Sequence, residues 1–170
     1  MNDNELVVLA VRGSSEAFCE LYDMHKEKLY NFAYYKLGNR EDAEDAVQDA
    51  VMKAYEQISS LRNENAFQSW LFKILYCSCN HKIKEQIANR NNSDMDSIRN
   101  LSSFEDESFI LAHELKQALS VLSEKDKNIV LLSVLAGFSS KEIARITGLT
   151  SGNVRQRLKR ALSKMRCELS

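Results

Sequence analysis

A chain of 170 residues with no proline, five glycines, 44% hydrophobic and 28% charged residues has room for one domain or two small ones, and too little turn punctuation for a sheet-rich fold. No apolar run approaches the roughly 18 residues of a membrane span, and the acidic start Met1-Asn2-Asp3-Asn4-Glu5 is the wrong start for a secretory or transit leader, so a cytoplasmic protein without membrane insertion is expected. The net charge of −1 would argue against nucleic acid, but it hides segregation: −4 over Arg40–Asp49, −5 over Ser93–Glu114 and +6 over Ser151–Arg166, a pattern that suits different partners for different segments.

Taken in chain order, the apolar spacing predicts helices almost throughout. After Gly13, Ser14 or Ser15 can cap a helix carrying Phe18, Leu21, Tyr22, His25, Leu29, Phe32 and Ala33 and ending near Gly38. A second begins about Glu41, where Ala43, Ala46, Val47, Ala50, Val51, Ala54, Tyr55 and Ile58 follow the i, i+3, i+4, i+7 rule and acids fill the first turns. A third runs from about Ala66 to Glu85 or beyond; Phe67, Trp70, Leu71, Ile74, Leu75 and Ile83 are its apolar residues, while Lys73, Cys77, Asn80 and Lys84 share another face. From 89 to 107 the pattern dissolves into Asn, Ser and Asp, as in a flexible linker. About 18 such residues span roughly 25 Å as a coil, and nothing in the sequence docks one side rigidly on the other. The expected organisation is all-α: a domain over 1–88, a linker over 89–107 and a helical domain over 108–170.

That last segment shows four short helices: one over about Ser108–Val121, one after a Ser123 cap leading to Gly137, and two joined by Gly148-Leu149-Thr150. The final pair meets the demands of a helix-turn-helix. Ala144 is small where two helices cross, Gly148 can take the left-handed conformation, Leu149 plugs the corner, and Thr150 or Ser151 caps the next helix. Val154, Leu158, Ala161, Leu162, Met165 and Leu169 then form an apolar stripe. Opposite lie Arg155, Gln156, Lys159, Ser163 and Arg166, flanked by Arg157, Arg160 and Lys164. A helix in a major groove needs that division, with Arg and Gln reading base edges and other cations on phosphates.

The four cysteines read as reduced thiols. Cys77 and His81, four apart, could share an ion, but no further ligand pair accompanies them, so no metal or cofactor is expected. No nucleophile–base set or paired carboxylates mark an enzyme.

Asp42-Ala43-Glu44-Asp45-Ala46-Val47-Gln48-Asp49-Ala50-Val51-Met52-Lys53-Ala54-Tyr55 resembles the second conserved region of sigma-70 family factors. Ser69-Trp70-Leu71-Phe72-Lys73-Ile74 resembles the promoter-melting helix of that region, and Ser139-Ser140-Lys141-Glu142-Ile143-Ala144 with the following helix resembles the fourth region. The layout without a middle region is similar to the extracytoplasmic-function (ECF) group. The resemblance implies a non-enzymatic subunit that directs RNA polymerase to promoters. Asp42, Glu44, Asp45 and Gln48 would meet the clamp helices of the polymerase largest subunit, and the fourth region would meet the beta flap. Arg62, Asn63, Trp70, Lys73, Cys77, Asn80 and Lys84 would engage the minus-10 element, with Trp70 also readable as core. Arg155, Gln156, Arg157, Lys159, Arg160 and Lys164 would engage the minus-35 element. An anti-sigma factor is implied as a further partner. The chain departs from the family's usual Asn at Cys77, Asp at His81, Thr at Asn153 and aromatic at Lys159. The rival reading is a freestanding helix-turn-helix regulator; a helical adaptor or metal sensor is a third.

Overall fold

In a computed structural model the described residues, 2–92 and 107–169, form eight α-helices and no strand. They are α1 (Asp3–Val11), α2 (Ser15–Leu37), α3 (Arg40–Gln57), α4 (Phe67–Asn92), α5 (Glu107–Ser120), α6 (Glu124–Val130), α7 (Ser140–Thr147) and α8 (Ser151–Leu169). Two 3-10 turns, Ile58–Ser60 and Glu64–Ala66, lead from α3 into α4, and a π-helical turn, Leu131–Leu135, continues α6. The expected linker falls largely on residues 93–106, outside the described residues; 89–92, expected as linker, belong to α4.

The helix ends sit where side-chain chemistry places them. The Ser14 hydroxyl accepts from the Ala17 amide at 3.1 Å to open α2, and Gly38, at φ +87°, closes it in the left-handed region that costs a glycine nothing. Asn39 opens α3, its Oδ1 accepting from the Asp42 amide at 2.8 Å. Helix α1 was not expected. Its cap is Asn2, whose Oδ1 accepts from the Glu5 amide at 2.9 Å, and Leu6, Val7 and Ala10 are buried.

In the N-terminal half, α2, α3 and α4 pack together, with α1 laid across α2 and the two 3-10 turns. Phe32 and Phe72 meet edge-to-face, centroids 6.0 Å apart, at its centre. The C-terminal half packs α8 on α5, α6 and α7, around Ile129, Leu132, Ile143, Val154 and Ala161. Full burial of such side chains contributes about 1.5–3 kcal/mol each.

The two halves are themselves packed together, which local periodicity gave no sign of. α7 lies against α4, Phe138 meets Phe72 edge-to-face at 5.0 Å, and Lys116 donates to the Tyr34 hydroxyl at 2.8 Å. Among the described residues no helix is long and apolar enough to cross a membrane.

Candidate nucleic-acid and polymerase interfaces

The C-terminal pair α7–α8 has the full geometry of a helix-turn-helix. Ser139 and Glu142 form a capping box: the Glu142 amide donates to Ser139 Oγ at 3.3 Å, and the Ser139 amide donates to Glu142 Oε2 at 2.9 Å. Gly148, at φ +82°, ends α7, and Thr150 opens α8 by accepting from the Asn153 amide at 3.1 Å. Of the two candidate caps Thr150 is the one used. Val154, Ala161 and Met165 are buried on the inner face, whereas Leu162 is partly and Leu169 more than half exposed.

Arg155, Gln156, Lys159, Arg160 and Lys164 are all exposed on α8, five polar or cationic side chains with no acid among them. Arg157 is placed differently. It reaches back to α6, where Nη1 lies 3.0 Å from Asp126 Oδ1, and its Nε donates to Asn153 Oδ1 at 3.0 Å. Spacing alone put Arg157 beside the other cations; its partner lies 31 residues away, beyond any local pattern.

In the N-terminal half the stripe on α4 is as expected: Lys73, Cys77 and Lys84 are exposed and Asn80 is half-buried. Cys79 faces the core, and burial pushes its thiol up to about 12, far from a reactive thiolate. Trp70 is half-buried with its ring 6.0 Å from Phe67. Arg62 and Asn63 are exposed between the two 3-10 turns. Asn63 Oδ1 accepts from the Asn65 amide at 3.0 Å. From α1, Asn4 Nδ2 donates to Asn65 Oδ1 at 2.9 Å and braces this loop.

The acidic helix α3 divides its carboxylates between fold and surface. Asp42 is half-buried and takes hydrogen bonds from the Asn39 side chain at 2.9 Å and from Gln86 of α4. Asp45 stands 3.5 Å from Lys82, and Glu44 is 2.9 Å from Arg40; both remain exposed, as does Gln48. At Asp49 burial opposes ionisation, but hydrogen bonds from Lys53 and Ser78 outweigh it and hold the carboxyl below the usual range. Beside Gln48, two large side chains stay exposed: Met52 at 60% and Tyr55 at 50%. The periodic reading counts Tyr55 as core, yet its ring is half-exposed, meeting Phe18 in a T-shaped pair with centroids 5.2 Å apart, while its hydroxyl meets Ser15 at 2.7 Å. Among the described residues no group of three or more His, Cys, Asp or Glu could hold a metal ion.

The comparisons with known proteins agree with this arrangement. The family model "Sigma-70 region 2" matches residues 21–87, and "Sigma-70, region 4" matches residues 112–165. RNA polymerase sigma factor SigV of Bacillus subtilis (strain 168) is 32% identical, with 86% of this chain and 87% of that protein covered. The ECF RNA polymerase sigma-E factor of Escherichia coli (strain K12) is 30% identical, with 95% and 91% covered. Among solved structures, the sigma factor RpoE in complex with the anti-sigma factor NepR from Bartonella quintana is similar at a TM-score of 0.78 and 26% identity, covering 89% of this chain and 96% of that one. The two matched regions stand in family order on the helices just described, and relatives at this identity are aligned nearly end to end. The chain therefore belongs to the sigma-70 family, in its ECF group, and is an RNA polymerase sigma factor directing transcription initiation.

Proposed function

We propose that the two halves work as a bipartite promoter reader that gains its affinity for DNA on core RNA polymerase. Exposed Glu44, Asp45 and Gln48, continued by Met52 and Tyr55, form the face for the clamp helices of the largest subunit, with the C-terminal half meeting the beta flap. Acids steer a basic partner, and exposed apolar side chains at the centre of such a face supply burial. Asp42 supports this face by tying α3 to α4. Residues 1–88 serve as one unit and 108–170 as the other, in the cytoplasm and without catalytic chemistry of their own.

Arg62, Asn63, Lys73, Cys77, Asn80 and Lys84 engage the minus-10 element, Trp70 backing them from its seat on Phe67. Arg155, Gln156, Lys159, Arg160 and Lys164 engage the minus-35 element, and Arg157 sets the angle of α8. Each contact can be weak, because binding polymerase raises the effective concentration of both, which is how a chain of net charge −1 can work on DNA. An anti-sigma factor is a further partner, by analogy with the relatives solved in such complexes. The observation that carries this reading is the row of exposed cations and Gln156 on a correctly capped second helix of a helix-turn-helix. The test is in vitro transcription with core polymerase on a promoter library. Initiation from a defined set of promoters is expected; no initiation above core polymerase alone would overturn the reading.

A further inference from the structure

One large apolar side chain stands on α4 where its neighbours on the same face are cations, an amide and a thiol. Ile87 is 53% exposed. It extends the stripe of Lys73, Cys77, Asn80 and Lys84 by the next step of three, so it lies on the same side of the helix. A single exposed apolar residue is ordinary on a protein surface; the setting of this one is not. Lys84 and Arg90, three residues before it and three after, are both exposed. The nearest acid in sequence, Glu85, is taken up at 3.3 Å by His81 and at 3.3 Å by Lys82. On a face laid along a duplex, such flanking cations hold phosphates, and the apolar group between them is left against the base edges.

At about 1.5 Å per residue, the stripe from Lys73 to Ile87 runs roughly 21 Å, the length of about six base pairs at about 3.4 Å each. Its two ends therefore meet different base pairs. The chemistry at the Ile87 end admits one kind of partner. A branched hydrocarbon can exchange no hydrogen bond with the acceptors of a purine edge or with the amine of cytosine, and it would strip water from them without replacing it. In the major groove thymine alone among the four bases presents a methyl group. We propose that Ile87 is a specificity-determining residue that selects thymine, through its 5-methyl group, at the end of the minus-10 element met by the last turns of α4. The inference rests on the reading of this stripe as the minus-10 surface. Lys84 and Arg90 hold the phosphates beside that base and set the depth at which Ile87 reaches it. Preference arises from both sides: the methyl contact takes apolar area out of water on protein and DNA alike, and every other base leaves a polar edge dehydrated.

The test deletes one methyl group from the DNA. Holoenzyme is assembled from core polymerase and the full chain, and promoters are selected from a library randomised over the minus-10 element and its flanks. The wild-type chain is expected to select thymine at one position that Ile87→Ala leaves open and that Ile87→Gln turns toward adenine, whose edge a side-chain amide can pair. On a selected promoter, deoxyuridine in place of that thymine should slow open-complex formation by wild-type holoenzyme about fourfold, the effect of roughly one methyl group withdrawn from water. Ile87→Val should lose less than that, and Ile87→Ala should not distinguish the two bases. A merely structural fault does not move the ratio of thymine to deoxyuridine rates, and the melting temperature of Ile87→Ala should stay close to that of the wild type because the side chain is half in water. Lys84→Ala should lower initiation on every promoter and keep the ratio. A selected set with no thymine position that depends on residue 87, or a methyl effect undiminished in Ile87→Ala, overturns the role of Ile87. If Lys73→Ala and Lys84→Ala also leave initiation unchanged, the minus-10 reading of α4 falls with it. If they lower initiation while the ratio ignores residue 87, that reading stands and the thymine contact alone is refuted.

Discussion

Arg157 and Arg160 stand one helical turn apart on α8 and serve different ends. Arg157 spends its guanidinium on Asp126 and Asn153, both at 3.0 Å, while Arg160 is exposed. Hydrogen bonds to a charged group at a partly buried site contribute about 1.5–3 kcal/mol; the Asp126 contact holds the recognition helix to α6, and the Asn153 contact, within α8, orients the guanidinium. Arg157→Ala should therefore lower the melting temperature and weaken use of minus-35 sequences together. Arg160→Ala should leave the melting temperature within about a degree while lowering minus-35-dependent initiation, since a lone exposed cation carries little stability. Thermal unfolding followed by circular dichroism, alongside transcription from promoters with and without a minus-35 element, separates the two. Equal melting losses for both variants would contradict this division.

At the scale of elements, α1 is the piece with the most to add. It buries Leu6, Val7 and Ala10, contacts both 3-10 turns and ties itself to the loop carrying Arg62 and Asn63 through the Asn4–Asn65 hydrogen bond. A loop that must receive an unstacked base gains from being held in place before the base arrives. Asn4→Ala removes one exposed hydrogen bond, so stability should fall by no more than about 1 kcal/mol. Promoter melting, read with a fluorescent adenine analogue in the minus-10 element, should slow by a few-fold; Asn4→Asp, which can still reach the Asn65 side chain once that amide turns, should recover part of the rate. Unchanged melting kinetics in Asn4→Ala would remove α1 from the mechanism. Much of this architecture was legible in the sequence, because caps and punctuation are local. Ser14, Gly38, Ser123 and Gly148 each end or begin a helix at the expected position, and the stripe Lys73, Cys77, Asn80, Lys84 falls on one face. Helix α1 escaped because its apolar residues, Leu6, Val7, Val8, Leu9, Ala10 and Val11, run without a break, so no helical spacing separates one face from the other. The Arg157–Asp126 pair and the burial of Lys36 escaped because their partners lie 31 and 92 residues away, where periodicity carries no information. Tyr55 kept helical spacing yet faces outward; spacing identifies a face, not the neighbour that covers it.

At the scale of the whole molecule, the packing of the two halves on one another is coupled to protons. Burial pulls Lys36 down from 10.5 to about 8, against the opposing pull of Glu124 and Cys79 and with a small push from Lys127. Burial also lowers Lys127, which Glu124 opposes and Lys116 assists. The groups packed on Lys36 are Glu124, Lys127 and Asn128 from α6 and Tyr76 and Cys79 from α4; Cys79, pushed up to about 12, stays neutral over the range that matters. An open chain with Lys36 in water would hold its proton to about 10.5, so between about 8 and 10.5 the closed form has shed a proton that the open form retains. Closing then releases protons and strengthens as pH rises, by up to about tenfold per unit for one proton. Below about 8 both forms keep the proton, and closure has to bury a cation shared between Asn128 and a largely exposed Glu124. Raising the pH from 7 to 9.5 should therefore increase the population with a short distance between nitroxide labels on Cys19 and on a Ser163→Cys site in the free protein, with exposed Cys77 and Cys167 replaced by Ser. Lys36→Met keeps the volume of the side chain without the titration, so it should weaken the contact at neutral pH by leaving Asn128 Oδ1 without its donor and lose most of that slope, the remainder belonging to Lys127. A wild-type distance distribution indifferent to pH, or an undiminished slope in Lys36→Met, would show that the buried ammonium does not govern how the two halves meet.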